Sequence, residues 1–158
     1  MIRPAIPEDV PEILAMIAEL ADYERAPHEA TATVEQLRAA LFGPSPAAYA
    51  HVAVDGGDVV GFALWFLNFS TWRGVHGIYL EDLYVRPAAR GGGHGKALLA
   101  ELARICTERG YARLDWWVLN WNPAREFYHS IGAVPMSEWV PYRLTDQALA
   151  KLADSATR

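Results

Sequence analysis

With 158 residues, 52% apolar and 21% charged, the chain is long enough for one core and has an ordinary globular mixture. That excludes a disordered tail and a disulfide-stapled mini-domain. Its 14 Lys and Arg against 19 Asp and Glu give a net charge of −5 with no basic stripe, so a nucleic-acid partner is not expected.

The single cysteine, Cys106, excludes an internal disulfide and falls on the apolar side of a helical pattern, as a small core residue does. Met1-Ile2-Arg3-Pro4 carries no signal-peptide core, and no apolar stretch is long enough to span a bilayer. The reading is a cytoplasmic protein without a membrane partner.

In chain order, Val10, Ile13, Leu14, Ile17 and Leu20 recur at three- and four-residue steps and predict a first helix. Asp9 and Glu12 resemble a capping pair, and Pro11 is tolerated in the first turn. A second helix is predicted over Val34 to Phe42, stopped by Gly43-Pro44-Ser45-Pro46. The period then changes: His51 to Val54 and Val59 to Asn68 read as strands joined by the turn Asp55-Gly56-Gly57-Asp58. Ile78 to Val85, rich in aromatic and branched residues, is a third strand, ended by Arg86-Pro87.

Beyond a glycine cluster, Leu98, Leu99, Leu102, Ile105 and Cys106 form the stripe of another helix, which Gly110 stops. Leu114 to Leu119 predicts a strand, Pro123 to Ile131 a short helix, and Trp139 to Leu144 a final strand. Trp65, Trp116 and Trp117, sitting in strands, are expected in the core. The order describes one α/β domain over residues 1–158, with a mixed, mostly antiparallel central sheet flanked by helices.

Gly91, Gly92, Gly93 and Gly95 lie between a strand and a helix, where free amides and the helix dipole favour an anion. Two nucleotide motifs fail. The P-loop pattern G-x-x-x-x-G-K-[ST] would need glycine at Arg90 and a hydroxyl at Ala97, and the dinucleotide pattern G-x-G-x-x-G meets Lys96 at its last position.

What remains, Arg90-x-x-Gly93-x-Gly95, resembles the phosphate loop of the GNAT (Gcn5-related) N-acetyltransferases. Tyr79-Leu80-Glu81-Asp82-Leu83-Tyr84-Val85, Glu19-Leu20-Ala21-x-Tyr23-Glu24, Trp72-x-Gly74, Trp121-Asn122-Pro123 and Phe127-Tyr128 are similar to the diamine (spermidine/spermine) branch of that superfamily. The resemblance implies acetyl-CoA as donor; no metal is expected, since His28, His51, His76, His94 and His129 are scattered and Cys106 is buried by pattern. It implies that Leu83, Tyr84 and Val85 line the pantetheine arm, and that Arg90, Gly91, Gly92, Gly93, His94, Gly95 and Lys96 hold the pyrophosphate. Asn122 and Tyr128 would lie near the thiol, and Tyr23, Glu24 and Glu81 would contact a small-molecule amine. Members of this branch are commonly homodimers.

The chemistry needs a neutral amine, and a lysine-like amine costs roughly 4.6 kcal/mol to deprotonate at pH 7. Glu81 is the candidate to bind the ammonium and pass its proton to water, while Asp82 points to the opposite face of a regular strand. A bulge near this point, such as the resembled family uses to splay its strands, would weaken that separation. Tyr128 is the candidate acid for the CoA thiolate, and the Leu83 amide an oxyanion donor. Asn120 stands where the resembled enzymes carry a glutamate, and Ser137-Glu138-Trp139-Val140 lacks their paired glutamates, which favours a short diamine or lysine-like amino acid over a long polyamine. The alternatives are a protein lysine or N-terminal acetyltransferase, and a non-catalytic acyl-CoA sensor.

Overall fold

The computed structural model describes residues 1–157. The chain divides into two compact units, Met1–Leu119 and Asn120–Arg158. The first unit carries β1 (Ile2–Pro4), α1 (Val10–Tyr23), α2 (Val34–Phe42), β2 (Tyr49–Asp55), β3 (Asp58–Ser70), β4 (Val75–Val85), α3 (His94–Arg109) and β5 (Leu114–Trp116). Its strands form one five-stranded sheet in the order β1-β2-β3-β4-β5, antiparallel except for the parallel β4–β5 pair.

The predicted stripe of α1 packs on the sheet. Val10 and Ile13, with Met16 from outside that stripe, are buried with Leu37 and Leu41 of α2 against Val52, Phe62, Leu64 and Tyr84, while Leu14, Ile17 and Leu20 pack partly buried beside them. Leu98, Leu99, Leu102, Ile105 and Cys106 are the buried residues of α3, and burial pushes the Cys106 thiol pKa up, as suits an inert core thiol. Asp9 does not cap α1. It accepts from the Ile6 amide at 2.8 Å and binds Arg3 at 2.7 Å, and Glu12 instead pairs with Arg86 at 2.8 Å.

The β2–β3 turn needs left-handed backbone at both central residues, and Gly56 and Gly57 supply it at φ 58° and 89°. The β3–β4 ladder slips once: Leu64 pairs with Asp82 but Trp65 with Leu80, so Glu81 is the extra residue of a bulge. Beside that bulge the β4–β5 ladder stops after three rungs, Ile78↔Leu114, Tyr79↔Asp115 and Leu80↔Trp116. The strand expected to Leu119 therefore ends at Trp116, because its partner bends away. Trp117 lies outside the strand and is 62% exposed, not in the core.

The second unit carries α4 (Ala124–Ser130) and α5 (Asp146–Ala153), the latter not anticipated. The strand expected over Trp139 to Leu144 does not form; the segment is irregular, with Trp139, Val140 and Tyr142 exposed. Branched and aromatic residues favour a strand only where a neighbouring ladder accepts their backbone. None does so here among the described residues. β1 was likewise unanticipated; its three residues pair with β2.

Candidate active site

The bulge creates an open strand edge. The Arg86 amide donates to Val60 of β3 at 2.8 Å. The N–H and C=O of Val85 therefore face the other edge, and two residues back so do those of Leu83. From Glu81 onward that edge has no strand partner among the described residues. An extended amide-bearing chain could lie along it as an added strand.

The edge leads into the glycine turn. Gly91 and Gly93 adopt φ 88° and 80°, and Gly93 is the N-cap of α3. Left-handed residues alternating with ordinary ones turn successive amides to one side, forming an anion nest at the positive end of a sixteen-residue helix. The Ala97 amide is the first of α3 to reach a main-chain acceptor, Gly93 at 2.9 Å. The amides of Gly91, Gly92, Gly93, His94, Gly95 and Lys96 have no main-chain acceptor among the described residues. A Cβ at Gly91 or Gly93 would meet nothing within 4 Å, so the space over the turn is open.

Side chains divide around this turn. His94 turns its ring to Asp55 of the β2–β3 hairpin, Nε2 to Oδ2 3.4 Å, which leaves its main-chain amide as its contribution to the nest. Lys96 is exposed. Arg90 donates from Nε to the Val85 carbonyl at 2.9 Å.

A second feature sits where β4 bulges near the end of α1. The register gives Asp82 the same sheet face as Leu64, Phe62 and Tyr84, the face that α1 covers. Without the bulge Asp82 would share the face of Leu80. Arg86 fixes α1 to β4 through Glu12 at 2.8 Å and Glu19 at 3.3 Å. The Tyr84 hydroxyl also bonds Glu19, and burial first, then that carboxylate, push its pKa up.

Glu24, directly after α1, thus comes within electrostatic reach of Glu81 and Asp82. Burial, then the charges of Glu81 and Glu24, push the Asp82 carboxyl up to about 7. Burial and then Glu81 also raise Glu24. Glu81 itself is exposed. Regular-strand geometry would separate Asp82 from the other two; the bulge overturns that expectation. Three mutually repelling carboxylates favour a cation, and one of them titrates where a proton acceptor works best.

In the second unit Tyr128 lies half-buried on α4, its ring 5.7 Å from that of Phe127. The Asn122 side chain accepts from the Ala124 amide at 2.9 Å and so shapes the start of α4. Among the described residues no group of three His, Cys, Asp or Glu could hold a metal ion, and no helix is long and apolar enough to cross a membrane. Elsewhere in the first unit a cavity of about 340 Å³ is lined by Leu41, Tyr49, His51, Trp65 and Glu101 among others, none of them assigned from the sequence.

A strand edge opened by a bulge and continued by an amide nest at a helix start is the arrangement of an N-acetyltransferase. The chain belongs to the acetyltransferase (GNAT) family, whose model matches residues 13–133. It is 36% identical to a thialysine N-epsilon-acetyltransferase of Bos taurus over 97% of this chain and 96% of that protein. It is 31% identical to an L-ornithine N5-acetyltransferase of Arabidopsis thaliana over 94% and 85%. Among solved structures, an integron cassette protein from the mobile metagenome of V. cholerae superposes with a TM-score of 0.81 at 31% identity, covering 98% of both chains.

Proposed function

We propose that the protein acetylates the terminal amine of a small lysine-like amino acid or short diamine, using acetyl-CoA. The observation that carries this reading is the acidic group Glu24, Glu81 and Asp82 beside the open edge of β4. The names of the thialysine and ornithine acetyltransferases support the same acceptor class, an amino acid with a side-chain amine.

The nest at 91–96 with Arg90 takes the pyrophosphate, while Leu83 and Val85 offer main-chain groups to the pantetheine arm and Tyr84 lies between them. Glu24 and Glu81 bind the substrate ammonium, with Tyr23 next to them. Its proton passes to a carboxylate, directly or through water: Glu81 is nearest solvent, and Asp82 near 7 is matched in acidity. The freed nitrogen attacks the thioester carbon, forming the C–N bond. The Leu83 amide stabilises the resulting oxyanion. As the C–S bond breaks, Tyr128 supplies a proton to the thiolate, giving the acetamide and free CoA thiol, and Asn122 accompanies Tyr128 along the donor arm. The homodimer common in the resembled branch and a cytoplasmic location belong to the same proposal.

The test is turnover across an amine panel, read as release of CoA thiol. Lysine analogues, ornithine and short diamines should exceed spermine and a histone-like peptide in kcat/KM. A peptide as best acceptor would favour the protein-acetyltransferase reading. CoA binding without turnover of any amine would favour a sensor.

A further inference from the structure

The Arg90 guanidinium is held on three sides. Its Nε donates to the Val85 carbonyl at 2.9 Å, and its Cζ lies 5.6 Å from the Tyr23 ring centroid and 5.5 Å from that of Tyr84. Tyr84 is buried in β4, whereas Tyr23 is the last residue of α1 and is 38% exposed. The Tyr84 ring is fixed from behind, since Glu19 of α1 bonds its hydroxyl and pairs with Arg86.

This arrangement decides what Arg90 can do. With Nε committed to Val85, the two terminal nitrogens are the part of the fork that can reach an anion, and Arg90 directly precedes the amides of 91–96 in the chain. An arginine on a glycine turn would ordinarily lose rotamer freedom on binding a phosphate. A guanidinium already held between rings has lost much of that freedom before the ligand arrives. The ring face that Tyr23 turns to Arg90 is also closed to an ammonium, because two cations would meet there.

We infer that Tyr23 and Tyr84 are positioning residues of the donor site, clamping Arg90 so that its outer edge meets the CoA pyrophosphate. The inference rests on the proposed assignment of the 91–96 turn to that pyrophosphate. It gives Tyr23 a role on the donor side, one residue from Glu24 on the acceptor side.

Calorimetric titration with CoA tests the clamp on wild type, Tyr23→Leu, Tyr23→Phe, Arg90→Ala and the double variant Tyr23→Leu/Arg90→Ala. Arg90 being exposed, loss of the ring should raise the CoA Kd about two- to fivefold, the range of an exposed cation–π contact. Tyr23→Phe, which keeps the ring, should stay within about twofold of wild type. In the Arg90→Ala background, Tyr23→Leu should add nothing further. Wild-type affinity in folded Tyr23→Leu, or an equal loss with and without Arg90, overturns the clamp alone. Failure of the folded wild type to bind CoA overturns the pyrophosphate assignment and the clamp with it.

Discussion

Leu64 of β3 stands opposite Asp82 of β4, while the next residue, Trp65, stands opposite Leu80, so Glu81 is left without a partner. One extra residue therefore does two things. It moves Asp82 onto the face covered by α1, and it ends the β4–β5 ladder so that Leu83 and Val85 keep an open edge.

Asp82 makes a pH prediction in two parts. Its folded pKa, about 7, lies above the ordinary 3.8, so the native state holds a proton that the unfolded chain has released between those values. Stability from this group is present at low pH and falls as pH rises from about 4 to 7. Asp82→Asn should thus stabilise the protein at pH 8 by about 1–2 kcal/mol and leave it unchanged near pH 4, read by denaturant unfolding. If Asp82 also accepts the substrate proton, the same variant loses the rise of kcat/KM with pH through neutrality. A retained rise would assign that limb to another group.

Glu81→Gln removes one charge from the acceptor side without touching the nest. The expected result is a higher KM for a lysine analogue or a lower turnover, with the calorimetric Kd for CoA within about twofold of wild type. An equal loss of CoA affinity would mean that Glu81 supports the donor site.

Gly95 is the clean probe of the nest. Gly93, at φ 80°, would be strained by any side chain, whereas a Cβ at Gly95 meets only Val85 Cγ2 at 3.9 Å. Gly95→Ala should therefore fold and gain up to about 1 kcal/mol of helix propensity while weakening CoA binding by crowding the turn. A raised melting temperature with unchanged CoA affinity would remove the phosphate from this turn.

Tyr128→Phe keeps the ring on α4 and removes the acid. Turnover should fall about ten- to a thousandfold, with CoA and amine affinities nearly retained. A variant as fast as wild type would leave protonation of the thiolate to water or another side chain.

Much was legible in the residues themselves because the signals are local. The 3.6-residue stripe of α1, the bounds of α2, the Gly56-Gly57 turn and the Gly110 stop depend on neighbours a few positions away. The turn at 91–93 is also local, being set by glycines that alone adopt left-handed backbone without strain. The residue types Glu24, Glu81 and Asp82 could be read, but not their grouping.

Tertiary structure decided the rest, since it turns on partners distant in the chain. A bulge is a mismatch of register between two strands, and nothing in Leu80-Glu81-Asp82 alone says which residue β3 leaves out. The same dependence shortened β5 at Trp116 and left Trp139 to Leu144 without a ladder, although their composition favours strands. The Asp82 carboxyl is pushed up to about 7 by burial first, on the sheet face that α1 covers, and then by the charges of Glu81 and Glu24. Arg90 is clamped only because the end of that helix brings Tyr23 against it, across a sequence gap that no periodicity spans. Propensity and turn chemistry act between adjacent residues, whereas register, burial and charge coupling exist only between elements that the fold has brought together.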